Sequence, residues 1–121
     1  FTYTGHIEFQ LYADITTTIS AGATTFKWTI TPDSLTVTDL TATKDIDAFL
    51  AGTVITMVGT ATTDAALATT GVGNKMGWQI SKVLATCITS GIIAVVMGAA
   101  TAGAVTHHIR WRPITPGATV A

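Results

Sequence analysis

Three groups of residues in the sequence offer reactive or ligating side chains close together: the pair His107-His108, the carboxylates Asp45 and Asp47, and the run Gly71-Val72-Gly73-Asn74-Lys75-Met76-Gly77. Adjacent imidazoles suit a transition metal, but neighbours on a strand point to opposite faces and cannot share one ion without distortion. His6 is the remaining histidine and belongs to a separate segment, so these two are expected as polar strand residues or contact residues. Asp45 and Asp47 would fit a calcium loop together with backbone carbonyls; solvation, or capping of a helical turn, is the plainer role. The glycine run resembles a phosphate cradle, in which bare backbone donors and a helix start hold an anion. Its spacing is G-x-G-x-x-x-G, with no strand of βαβ type before it, and it reads as a flexible turn.

The other carboxylates, Glu8, Asp14, Asp33, Asp39 and Asp64, are scattered, and the chain has 4 Ser. No nucleophile-elbow pattern places one of these serines for a triad. Cys87 is the single cysteine, which excludes a disulfide framework and a cysteine-built zinc site and fits a small buried hydrophobe. No catalytic, cofactor-binding or metal-ligating residue is therefore assigned, no cofactor is expected, and the chain reads as a non-enzyme. With Lys and Arg totalling 6 and a formal net charge of −1, it cannot neutralise the phosphates a nucleic-acid partner would present.

Trp28, Trp78, Trp111, Tyr3 and Tyr12 could stack on sugars, yet Tyr12 is the one whose exposure the pattern predicts, and one aromatic makes no sugar-binding strip. Arg110 and Arg112 flank Trp111 in the local basic cluster, the composition of an intersubunit contact. His107, Ile109, Arg110, Trp111 and Arg112 are the expected subunit-interface residues. Were His107 to face such a contact, its protonation would loosen assembly at low pH.

The elements that must position these residues are strands. The 121 residues are 48% hydrophobic and 11% charged, which excludes intrinsic disorder, and 26 of them are Thr, a β-branched type that favours pleated backbone. From Gly5 to Ile15, Ile7, Phe9, Leu11, Ala13 and Ile15 alternate with His6, Glu8, Gln10, Tyr12 and Asp14, the signature of a half-buried strand. Phe26, Trp28 and Ile30 alternate in a second strand that ends in a turn at Pro32-Asp33-Ser34, and Leu35 to Thr41 reads as a short third. Lys44 to Leu50 carries a helical spacing at Ile46, Phe49 and Leu50 and predicts one or two turns of helix at most. Thr53 to Val58 is a strand. Gly59 to Gly77, nearly all small residues, predicts a long surface excursion.

From Val83 to Val105 there are 23 residues without a charge, long enough for a membrane-spanning helix. Threonine, serine and glycine interrupt the run, and a turn at Thr89-Ser90-Gly91 would fold it into a β-hairpin with arms Val83 to Ile88 and Ile92 to Met97, so a membrane location is not the expectation. Those arms are apolar on both faces and would need cover on both sides, most simply from another subunit or from the long excursion. The final strand places Val105, His107, Ile109 and Trp111 on one face and Thr106, His108, Arg110 and Arg112 on the other, and Pro113 stops it. The reading is an all-β antiparallel sandwich, jelly-roll-like, over residues 1–112, with an extended C-terminal arm over 113–121. Residues 1–10 lack the basic flank and apolar run of a secretory signal.

Short Thr-rich strands, an Ala-Thr-Gly loop, few reactive residues, an uncharged tail and the closing strand His107-His108-Ile109-Arg110-Trp111-Arg112 together resemble the small β-sandwich or jelly-roll structural proteins of tailed bacteriophages that decorate or cement capsids. The resemblance implies a homotrimer on the outer surface of the virion, bound where major capsid protein or other virion subunits meet. A fibre or receptor-binding domain, a carbohydrate-binding module and a small membrane protein are the alternative readings.

Overall fold

The structure, a computed structural model, describes residues 1–20, 22–33, 35–58, 66–70, 85–87, 90–99 and 102–121. In chain order the strands are β1 (Thr2–Thr4), β2 (Ile7–Thr17), β3 (Thr25–Pro32), β4 (Thr38–Asp39), β5 (Lys44–Asp45), β6 (Val54–Val58), β7 (Ala66–Thr70), β8 (Ala85–Cys87), β9 (Gly91–Gly98), β10 (Ala104–Pro113) and β11 (Thr119–Val120). They form two antiparallel sheets. One runs β11-β1-β9-β3-β4, with β5 also on β3; the other runs β10-β2-β6-β7, with β8 also on β2. The chain is an all-β sandwich, as its composition and alternation predict.

The sheets face each other through the apolar rows that the period of two selects. On β2, Ile7, Phe9, Leu11, Ala13 and Ile15 are fully buried while the residues between them are half exposed. Opposite them, β3 contributes Phe26 and Trp28, and β9 contributes Ile93. Ile55 of β6, Ile46 and Tyr3 complete the layer. Each such side chain contributes about 1.5–3 kcal/mol by leaving water, which is why the strands adopt one register: a slip by one residue would turn the row outward.

Three expectations are corrected. First, Lys44 to Leu50 forms no helix. Lys44 and Asp45 pair with Phe26 and Thr25 as β5, the Ile46 amide donates to the Thr24 carbonyl at 2.9 Å, and Ala48 takes a left-handed φ of 55° that ends any helical turn. The apolar spacing there serves a turn, closed from the Phe49 amide to the Ile46 carbonyl at 3.2 Å, with Ile46 as its buried plug.

Second, the two arms expected to form a late hairpin do not pair with each other among the described residues. Residues 85–87 lie on β2 in the five-stranded sheet, whereas β9 lies between β1 and β3 in the six-stranded one.

Third, within the stretch expected as a surface excursion, Ala66–Thr70 is a strand paired along β6. The rest of that stretch, the glycine run and Trp78 lie outside the described residues. Residues 113–121, expected as an extended arm, lie against the sandwich. Ile114 and Thr115 donate to the His6 carbonyl at 2.9 and 3.3 Å, a turn closes from Ala118 to Thr115 at 3.2 Å, and β11 pairs with β1 through Thr119↔Thr4 and Val120↔Tyr3. Of Leu35 to Thr41, Thr38 and Asp39 alone are strand, and Leu35 and Val37 are exposed.

Candidate interaction surface

The closing strand β10 runs antiparallel to β2 along its whole length, and the register decides what each candidate residue meets. Val105, His107, Ile109 and Trp111 lie opposite Ile15, Ala13, Leu11 and Phe9, the buried row of β2. Thr106, His108, Arg110 and Arg112 lie opposite Asp14, Tyr12, Gln10 and Glu8, the outward row. The five residues proposed for a subunit contact are thus divided between two faces. His107 and Ile109 face the interior, Ile109 packing against the core and His107 against Phe26 and Trp28. Arg110 and Arg112 stand outside. Trp111 belongs to the inner row near the end of the sheet and remains 36% exposed.

The outer row is a ladder of cross-strand pairs. Arg112 Nε donates to Glu8 Oε2. The His108 ring stacks on Tyr12, with centroids 4.6 Å apart and planes 10° from parallel, and its Nε2 lies 3.5 Å from Asp14 Oδ2. Arg110 is exposed and makes no ion pair among the described residues. Tyr12, whose exposure the alternation predicts, is half exposed and has one ring face occupied by His108. β10 is the terminal strand of its sheet among the described residues, with Arg110, Trp111 and Arg112 exposed along it.

The second exposed region is the outer face of the six-stranded sheet. The register β3–β9 puts Ile93, Val95 and Met97 on the inner side with Ile30, Trp28 and Phe26, Met97 remaining 40% exposed, and Ile92, Ala94 and Val96 on the other side beside Thr31, Thr29 and Lys27, of which Thr29 is buried. Ile92 is 50% exposed and Val96 46%. Thr2 stands opposite Ile92 on the other side, and Thr4 and Thr119 continue the face, their hydroxyls 2.7 Å apart. Lys27 closes one end through its ion pair with Asp39 at 2.7 Å. The result is a sheet face of methyl groups and hydroxyls with two large aliphatic side chains in a middle strand.

Asp45 and Asp47 are engaged in backbone contacts. Asp47 accepts from the amides of Gly22, Ala23 and Thr24 at 3.0, 2.7 and 2.7 Å, and these bonds hold its carboxyl below the ordinary carboxylate value. Asp45 Oδ1 accepts from the Asp47 amide at 2.9 Å. The pair ties the 22–24 corner to the turn after β5. Among the described residues no three His, Cys, Asp or Glu side chains gather closely enough to hold a metal ion, and no helix is long and apolar enough to cross a membrane. Single-strand reasoning missed the Asp47 contacts and the ladder; the ladder had a signal, since reading β10 backwards against β2 sets Arg112 against Glu8. A scan against protein-family models, a search of curated proteins and a search of solved structures found no match to this chain.

Proposed function

We propose that this protein is a non-enzymatic structural subunit of a bacteriophage virion, a decoration or cement protein that reinforces the capsid from its outer surface by binding where coat subunits meet. The observation that supports this most is β9, a strand apolar on both faces whose outer Ile92 and Val96 are left uncovered in the single chain. Uncovered aliphatic side chains on a sheet face, with threonine hydroxyls beside them, are the surface chemistry of a protein contact rather than of a small-ligand site. The exposed Arg110, Trp111 and Arg112 on β10 add the residue types favoured at such contacts. A subunit of this kind binds the assembled shell and stabilises it by mass action. Its own oligomer is a homotrimer in this reading, and its sandwich a jelly-roll relative.

The runner-up, a fibre, receptor-binding or carbohydrate-binding domain, has Tyr12 in its favour, but the stack on His108 leaves that ring less free to accept a sugar. Sedimentation of the purified chain, alone and mixed with candidate shells, tests the proposal. It predicts a trimer that co-sediments with shells, and Trp111→Ala should weaken that binding more than the fold. A monomer that binds a glycan array and no shell would overturn it.

A further inference from the structure

The His107 ring lies between the two sheets. On β10 it is opposite Ala13 of β2, and its centroid is 5.9 Å from Phe26 and 6.1 Å from Trp28 on β3, which themselves meet edge to face at 5.2 Å. His107 Nδ1 is buried without a hydrogen-bond partner, and so is the Trp28 indole Nε1. A neutral imidazole tolerates such a box. An imidazolium carries a proton on Nδ1 and a full charge, and in this half-buried ring the buried Nδ1–H finds no hydrogen-bond partner.

The charged groups around it do not relieve this. From β2, Asp14 is the carboxylate that acts on the ring, but it belongs to the outward row, with Oδ2 toward His108. On β10 itself His108 also faces outward and adds like charge when protonated. From β3, Phe26 and Trp28 face the ring, while Lys27 stands on the other side of the strand, held by Asp39. Burial first, and His108 second, push the His107 imidazole below its ordinary value, against the opposing pull of Asp14.

We propose that His107 is an acid-operated release between the sheets: protonation drives its ring from against Phe26 and Trp28 and frees β10 from the facing sheet while β3 and β9 stay paired. This concerns the single chain and stands whether or not the protein belongs to a shell. The direction follows from linkage. The unfolded chain takes up a proton at His107 near pH 6.5 and the folded chain only at lower pH, so the contribution to stability is complete above about 6.5 and declines as pH falls below it. The folding constant then drops by up to about tenfold per pH unit until the folded value is reached.

Urea unfolding of the full chain from pH 8 to pH 5, with NMR titration of the histidine rings and amide protection factors, tests it. The expected result is a folding constant that falls below pH 6.5, a His107 ring titrating under its ordinary value, and protection lost on β10 before β9. His107→Phe, which fills the box without a charge, should abolish the fall, whereas His108→Gln should retain most of it. A His107 ring titrating at or above 6.5, an undiminished acid loss in His107→Phe, or simultaneous loss of protection on both strands would overturn the proposal. Should His107→Phe fail to fold, the ring titration in the unaltered protein decides.

Discussion

At the scale of single residues, the backbone singles out two kinds of position. Gly91 opens β9 where that strand runs between β1 and β3, and a Cβ there would lie 2.5 Å from the Thr31 carbonyl oxygen, 2.7 Å from Pro32 Cα and 2.8 Å from the Tyr3 hydroxyl. Two of those neighbours are backbone, which cannot move aside without disturbing β3. Gly91→Ala should therefore destabilise the chain by about 1–3 kcal/mol, read as a lower urea midpoint at unchanged m-value. Ala48 presents the reverse case. Its left-handed φ of 55° costs about 1–2 kcal/mol for a residue with a Cβ, and glycine removes that strain while adding about 0.5–1 kcal/mol of unfolded-state freedom. Ala48→Gly is expected to be neutral or to stabilise by up to about 1 kcal/mol, by the same measurement; a clear loss would mean that the turn is not strained there.

At the scale of elements, the Asp47 carboxylate organises the corner at residues 22–24, extending the short β3–β5 pairing that ends at Thr25 and Asp45. Its lowered pKa fixes the sign of the pH effect: the folded carboxylate holds its charge below the ordinary 3.8, so its stabilisation is complete above that value and is lost as pH falls through the folded one. Asp47→Asn should lower the melting temperature at neutral pH and flatten the acid loss below pH 4, as followed by circular dichroism; an unchanged acid profile would sink this account. The same corner marks the boundary of what was legible in the sequence. Alternation over Gly5 to Ile15 and around Trp28 revealed the core rows, because half-buried strands impose a period of two. Ile46, Phe49 and Leu50 showed a period near that of a helix, but three apolar residues cannot reveal that the Asp47 side chain takes amides from residues 22–24. Likewise the late apolar run announced strands without saying that they belong to opposite sheets, since strand pairing is decided by residues distant in sequence. The split of His107 from His108 followed from pleating alone; the Tyr12 stack required the register against β2.

At the scale of the whole molecule, burial inside the chain and exposure outside it make opposite demands on β9. Its inner row holds the sandwich together through Ile93 and Val95, so those residues answer to folding. Its outer Ile92 and Val96 contribute little to that core and are free to answer to a partner. A protein contact of ordinary size hides about 800 Å² on each side, and a few central apolar or aromatic residues dominate its energy. Ile92→Thr with Val96→Thr retains β-branched side chains suited to a strand and removes aliphatic groups only where water already reaches them. Stability should then change by no more than about 0.5 kcal/mol per site. On the proposed function, association with copies or with a shell should weaken by about tenfold for each residue at the centre of the contact, the equivalent of roughly 1.4 kcal/mol. Unfolding curves and sedimentation on the same preparation separate the two demands. Unchanged association would remove the outer face of β9 from the contact, and a large loss of stability would assign Ile92 and Val96 to the fold of the single chain instead.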